Sequence, residues 1–419
     1  MEQWVYEIDG NIPLTGEAKV QGSKNAVLPM LAASILQTGC VCFRNCPDIE
    51  DVRCMLQILQ YIGARVRKEG EELYISCEQI EKHEIPAKLA GRMRSSVLLV
   101  GALLGRMGEA AMRYPGGCVI GQRPIDLHME AFRALGSSIW DQEGLIIAKG
   151  CGLQGAAYTF PRVSVGATEN AILAAVCARG ETCLHNCARE PEIGHLCDFL
   201  RKMGADIKEN GAKICICGKK KLHPCTFTVP ADRIAAGTWL IAGAATRGEI
   251  ALSGAPVSEM QALLELYGKM GGQYEVKSGT LLLHSRKLSN PAALVQTSGY
   301  PGFPTDLQSP FLALCATING KSCIRETIFE DRFRAAAQLR RMGADIRIHG
   351  RDATVYGGIL TGAEVLAEDL RGGAALVIAG LAAHGHTKVS GIGHLERGYM
   401  ELCGTIEQLG GRCIRQKAN

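Results

Sequence analysis

The stretches LRKMGADIKENG (residues 200–211) and LRRMGADIRIHG (residues 339–350) are two copies of one pattern. In each, apolar residues four and one before a glycine fall on one face of a helix, and the glycine suits the left-handed position just past a helix end. A short strand-like run follows. The same helix ending recurs as LQYIG, FRALG, LRKMG, YGKMG, LRRMG and IEQLG, closing at Gly63, Gly136, Gly204, Gly271, Gly343 and Gly410, with spacings of 67 to 73 residues. A second series, out of phase with the first, reads ILQTG, LGRMG, VCARG, AATRG, ATING and LAAHG and closes at Gly39, Gly108, Gly180, Gly248, Gly320 and Gly385. Each unit of about 70 residues therefore reads strand, helix, strand, helix, and six units fill the chain.

A repeat of this kind reads either as a scaffold solenoid or as a frame for a site. The turns after the second series separate the two, because a scaffold would repeat its turns. These read NCPDIED, YPGGCVIGQRP, NCAREPE, GAPVSEM, ETIFEDR and GIGHLER. Cys118, Glu190 and Glu330 stand ten residues after their glycines, and Glu192, Arg332 and Arg397 stand twelve after. Differentiated, charged loops on a repeated frame are how a site is assembled from several units.

The 419 residues are 47% hydrophobic, enough to bury one large core or two ordinary ones, the length suggests two or three domains, and the net charge of +4 is mild and scattered. With no basic cluster, nucleic acid is not an expected partner; small anions are. No basic segment followed by an apolar core opens the chain, and no run of eighteen apolar residues occurs in it, so a cytoplasmic protein is expected, with no membrane association and no obligate protein partner. Eighteen cysteines, many inside apolar runs such as ALCATING, read as reduced and buried rather than as a disulfide framework.

One cysteine differs. Cys118 follows the Gly116-Gly117 pair, which suits a loop that moves over substrate. Arg113 and Arg123 lie in the same segment, and a helix-like pattern starts at Pro124. Cations and a helix N-terminus both favour a thiolate. Other signals carry less. Cys42-x3-Cys46 and Cys183-x3-Cys187, the latter with His185 between, have zinc-permissive spacing but no second half, and repeat ancestry accounts for their equivalence. No metal and no cofactor is expected. GKKK at 218–221 reads as a solvated turn, and GIGHLERG lacks the spacing and the preceding unit of a nucleotide loop.

GSKNAVLPMLAASIL (22–36), MRSS (93–96), PGGCVIGQRPIDLH (115–128), VSVGATEN (163–170), AREPEI (188–193), GFPTDLQ (302–308), ETIFEDRF (326–333), EDLR (368–371) and ERGY (396–399) closely resemble the enolpyruvyl transferase family. The resemblance spans nearly the whole chain. Lys24-Asn25 and Cys118 favour the branch that acts on UDP-N-acetylglucosamine, since the shikimate branch typically has Lys-Ser there and lacks the Gly-Gly-Cys loop. The implied fold is an α/β, two-lobed inside-out barrel of six repeats with helices inside and sheets outside. Residues 22–231 would form the N-terminal lobe and 1–21 plus 232–419 the C-terminal lobe, with a hinge near 20–22 and 230–232 and the active site in the cleft.

The resemblance implies transfer of the enolpyruvyl group of phosphoenolpyruvate to the 3-hydroxyl of UDP-N-acetylglucosamine with release of phosphate, the first committed step towards peptidoglycan. A shikimate 3-phosphate acceptor and a catalytically weak UDP-sugar-binding regulator are the alternatives. A phosphate and a carboxylate call for fixed cations. The family's phosphoenolpyruvate contacts correspond to Lys24, Asn25, Arg123 and Arg397, and its sugar-nucleotide contacts to Arg94, Arg123, Pro124, Ile125, Asp126, Leu127, Arg162, Val163, Ser164, Val165, Asp306 and Ile328. Asp306 is the candidate general base for the hydroxyl, with an N-cap before LQSPFLALC as its plainer role. Cys118 is the candidate acid or covalent partner, alkylated by the epoxide fosfomycin in relatives, and Lys24 is a candidate to share proton transfer. Glu190, Glu192, Asp232, Glu330, Arg332, Asp369 and Arg371 read as supporting charges or caps. Departures from the family are VPADRIAAGTW, with Ala231 interposed and Ala235 in place of an acid, and Arg162, where some members have lysine.

Overall fold

The computed structural model describes residues 4–116, 124–150, 152–219 and 221–418. Cys118 and Arg123 lie outside the described residues. Those described fall into two compact units, one of residues 22–230 and one of 4–21 with 231–418.

Each unit holds three four-stranded sheets of one recurring order: a short edge strand, parallel to its neighbour, and then two further antiparallel strands, joined as a hairpin in all but the sheet that the chain ends share. In the third sheet of the first unit, Ala157–Thr159 pairs parallel with Glu181–His185, which pairs antiparallel with Lys213–Cys217, followed by Asp206–Asn210. Sequence reading gave two strands per repeat; the structure has four. The added strands are the hairpin return and the edge strand, which at two to five residues is too short to show a period of two. The hairpin turns carry their own signature: Glu143-Gly144 and Ser278-Gly279 both have positive φ at the two central positions, as a type I′ turn requires.

The chain ends are shared among repeats. Trp4–Asp9 lies between His386–Ser390 and Arg412–Lys417, completing the sixth sheet, and Thr15–Lys19 is the parallel edge of the sheet holding Glu249–Ser253.

The two glycine series close two kinds of helix. Those ending at the first series are amphipathic: Glu50–Ile62 buries Val52, Met55, Ile58, Leu59 and Ile62 at spacings of three and four, with Asp51 and Cys54 beside them, and leaves residues such as Arg53, Gln57, Gln60 and Tyr61 exposed. Those ending at the second series are buried all round. Every residue of Arg233–Ala245 is buried, as are nearly all of Val165–Ala175 and Leu370–Ala382, so one set of three helices forms the interior of each unit and the sheets lie outside it. Ten of the twelve glycines have positive φ. Gly248 does not; its constraint is contact, since a Cβ there would stand 2.2 Å from the Leu14 carbonyl oxygen. Among the described residues no helix is long and apolar enough to cross a membrane.

Candidate active site

In the unit containing residues 231–418, Pro304 is extended and leads into a 3-10 turn, Thr305–Leu307, ahead of the helix Gln308–Ala316. The turn presents Asp306. The N-cap positions of the turn and of the helix are Pro304 and Leu307, and Asp306 lies between them. Arg332 Nη2 donates to Asp306 Oδ1 at 2.8 Å and Arg371 Nη2 donates to Oδ2 at 2.9 Å. Both arginines are about 5% exposed. Arg332 also donates to the Thr305 carbonyl. Burial pulls the Arg371 guanidinium down, but Asp306, Tyr399 and Asp232 outweigh it and hold it above its ordinary value.

Arg371 is fixed from behind. Its Nη1 donates to the Tyr399 hydroxyl at 3.2 Å, which lies 2.9 Å from Thr238 Oγ1. Thr238 donates its own proton to the Ile234 carbonyl, so the Tyr399 hydroxyl is the donor to Thr238 and is left to accept from Arg371. Asp232 and Asp369 are helix caps: Asp232 Oδ1 accepts from the backbone N–H of Ile234 and Ala235, and Asp369 Oδ1 from that of Arg371 and Gly372. Glu330 pairs with Arg351 on the surface.

Behind Asp306 lies a carboxylate that sequence reading did not single out. Glu326 is 1% exposed, and accepts from Thr297 Oγ1 (2.9 Å), Thr305 Oγ1 (2.9 Å) and the backbone N–H groups of Ile328 (2.7 Å) and Phe329 (3.2 Å). It ties the turn that carries Asp306 to the loop that exposes Ile328. Arg397 lies partly buried in a segment gripped by Gln21, which donates to the Gly398 carbonyl and accepts from the Met400 N–H.

In the unit of residues 22–230, Ser23 caps the helix Lys24–Ala33 by accepting from the Ala26 N–H, which places Lys24 and Asn25 in the first turn. Lys24 Nζ pairs at 2.8 Å with Asp51, whose side chain is 5% exposed. Asp51 was legible only as an acid in the NCPDIED turn. Arg94 Nη2 donates to the Pro124 carbonyl at 3.0 Å, bringing two predicted sugar-nucleotide residues together. Arg162 donates to both carboxylate oxygens of Asp126, so these two predicted contacts hold each other. Ile125 and Leu127 are each 4% exposed, and the Ser164 hydroxyl accepts from the Ala167 N–H as a helix cap. Val163 is exposed, and Val165 packs partly against the core.

Asn170, within VSVGATEN, positions this group. It donates to the Val97 carbonyl and to His128 Nδ1, and accepts from the Gly101 N–H. His128 Nδ1 is therefore an acceptor, and the helix Asp126–Ala134 is anchored to its neighbours through it.

Glu169, on the same helix as Asn170, is fully buried. Burial pushes its carboxyl well above the usual range, and Glu192 and Glu190 add to the shift. The folded chain therefore favours the protonated form, and stability falls as pH rises through the unfolded-state value towards the folded-state one. Glu169→Gln removes that dependence. The thermal midpoint of the variant minus that of wild type is expected to be near zero at pH 4 and to widen from pH 5 to 8. A difference that stays constant across that range contradicts the assignment.

The sequence model of the EPSP synthase (3-phosphoshikimate 1-carboxyvinyltransferase) family matches residues 8–406. The chain is 42% identical over 412 residues to a UDP-N-acetylglucosamine 1-carboxyvinyltransferase 2 of Caldanaerobacter subterraneus subsp. tengcongensis, covering 98% of this chain and 99% of the relative. It is 43% identical over 412 residues to a UDP-N-acetylglucosamine 1-carboxyvinyltransferase of Nitratidesulfovibrio vulgaris, with 98% of each covered. Among solved structures, the enolpyruvyl transferase NikO of Streptomyces tendae superposes with a TM-score of 0.89 at 25% identity over the full length of both chains. EPSP synthase of Acinetobacter baumannii, at 19% identity and a TM-score of 0.75 over 99% of this chain and all of that one, shares the fold. The chain belongs to the EPSP synthase (enolpyruvyl transferase) family and, within it, to the family of the UDP-N-acetylglucosamine 1-carboxyvinyltransferases.

Proposed function

We propose that the protein transfers the enolpyruvyl group of phosphoenolpyruvate to the 3-hydroxyl of UDP-N-acetylglucosamine and releases phosphate. The observation that carries this is identity of 42–43% across the full length of relatives bearing that activity's name. In the cytoplasm the product would enter peptidoglycan synthesis, and through it cell-wall biogenesis, cell shape and the division cycle.

The residues divide the chemistry. Protonation of the methylene carbon makes its neighbour electrophilic, the sugar hydroxyl attacks there, and phosphate leaves from the tetrahedral adduct. Asp306 is the base for the hydroxyl: each of its oxygens takes one guanidinium, which fixes the carboxylate's plane. Lys24, Asn25, Arg123 and Arg397 take the anionic groups of phosphoenolpyruvate. Arg94, Arg123, the backbone of residues 124–127, Arg162, residues 163–165 and Ile328 take the sugar nucleotide. Cys118 serves as proton donor or covalent partner, with Lys24 sharing the proton transfer.

Phosphate release from phosphoenolpyruvate is the test, with UDP-N-acetylglucosamine and then shikimate 3-phosphate as acceptor. Release with the first supports the proposal; release only with the second selects the shikimate reaction; release with neither marks a UDP-sugar-binding regulator. Fosfomycin probes the loop separately. Intact-mass spectrometry is expected to show one adduct on wild type and none on Cys118→Ser, while Cys118→Asp keeps turnover and resists the drug. Equal labelling of wild type and Cys118→Ser would remove Cys118 from this role.

A further inference from the structure

The outward face of the sheet containing Glu181–His185 carries a set of donors that the transferase reading leaves unused. Thr182, Leu184, Ile214 and Ile216 point into the core, so the alternation of the strands turns Glu181, Cys183, Cys215 and Cys217 to the opposite face. Cys183 lies directly opposite Cys215, and Glu181 directly opposite Cys217. The two sulfurs of Cys183 and Cys215 stand 2.6 Å apart, and a Glu181 carboxylate oxygen lies within 4.8 Å of both. CxxxC spacing suggested Cys187 as the partner of Cys183. Cys187 is instead 1% exposed, its thiol pushed up to about 12 by burial, and the partner comes from the neighbouring strand.

We infer that this face binds a thiophilic divalent cation of the zinc class, with Cys183, Cys215 and Glu181 as its ligands and water in the fourth position. Two donors two residues apart on one strand and a third directly across the ladder form a triangle on which a tetrahedral ion can sit. With Zn–S near 2.3 Å and Zn–O near 2.1 Å, the ligand atoms of such an ion stand roughly 3.5–3.8 Å apart. The two sulfurs stand closer than this, at 2.6 Å, so an ion bound between them spreads the two thiols apart. Binding sets free the two thiol protons to solvent and forms two metal–sulfur bonds and one metal–oxygen bond. Two thiolates and a carboxylate exceed the ion's charge by one. Lys208, opposite Cys215 in register, and Lys213, two residues before it, stand on the same face to balance the excess.

The inference does not depend on the transferase reading, and its test reads the metal alone. The full-length protein, reduced with a phosphine and freed of metals by chelation, is titrated with Co²⁺. One equivalent is expected to give thiolate-to-cobalt charge-transfer absorption, and Zn²⁺ is expected to abolish it by displacement. Cys183→Ser and Cys215→Ser each lose the band. Glu181→Gln weakens binding by about tenfold or more, as loss of one of three ligands should. Cys217→Ser leaves the band unchanged, as does Cys40→Ser, an exposed cysteine on another sheet. Glu181 is exposed, so Glu181→Gln carries the test if a serine variant does not fold. A band that survives in Cys183→Ser with Cys215→Ser, or no band in wild type, overturns the assignment. So does a Cys183–Cys215 disulfide formed with oxidised glutathione in a protein whose reduced form takes up no cobalt.

Discussion

Asp306→Asn is expected to lower kcat for phosphate release by about 10²–10⁴-fold, the range a positioned general base supplies. The asparagine keeps the size of the side chain but only one of its oxygens, and its amide nitrogen then faces either Arg332 or Arg371, whichever has lost its acceptor. Because both guanidiniums are almost fully buried, the same change also costs stability, by about 3 kcal/mol if one charge is left without a partner. The two effects separate by condition. Turnover measured well below the variant's thermal midpoint reports the base alone, whereas the midpoint reports the guanidiniums. A folded Asp306→Asn protein that turns over within tenfold of wild type would show that another group takes the hydroxyl proton, and would leave Asp306 as an anchor for two arginines.

That pairing marks the limit of what the sequence could show. Asp306 was singled out from its place in GFPTDLQ, but its partners are 26 and 65 residues further along, and no local pattern joins them. Arg332 and Arg371 read in the sequence as supporting charges or caps; nothing in it shows that both converge on one carboxylate. The repeat was legible because glycine at a helix end answers a backbone requirement, which ten of the twelve positions meet. The return strands were within reach too, since Glu143-Gly144 and Ser278-Gly279 are hairpin signatures in the sequence itself. The parallel edge strands were not, because Glu84–Ile85 or Val295–Gln296 is too short to carry a pattern. Ile125 and Leu127 show a further limit: a motif names residues, but not how much of each reaches the surface, and both are almost wholly buried.

Glu326 is the residue for which burial says most and sequence said least, and its replacement carries the second large effect. Glu326→Ala leaves two hydroxyls and two backbone N–H groups without the acceptor they share. Buried donors left unpaired cost about 1–3 kcal/mol each, and the hydroxyls can turn elsewhere, so a loss of about 3 kcal/mol or more is expected from the backbone pair with the cavity. Glu326→Gln discriminates. Its amide oxygen can still accept from Ile328 and Phe329, and Thr305 can reverse its hydroxyl to accept from the new NH₂, so most of the stability should return, to within about 1 kcal/mol of wild type. The effect on function follows from what the carboxylate joins, the turn of Asp306 and the loop of Ile328. In the alanine variant both are loosened, and KM for UDP-N-acetylglucosamine is expected to rise about tenfold, as for lost support behind a binding residue, with KM for phosphoenolpyruvate moving less. Urea titrations and acceptor KM values on the two variants check this together. Equal stability of the alanine and glutamine variants would mean that the four hydrogen bonds contribute nothing net, and an unchanged acceptor KM in a loosened alanine variant would separate Glu326 from the sugar-nucleotide site.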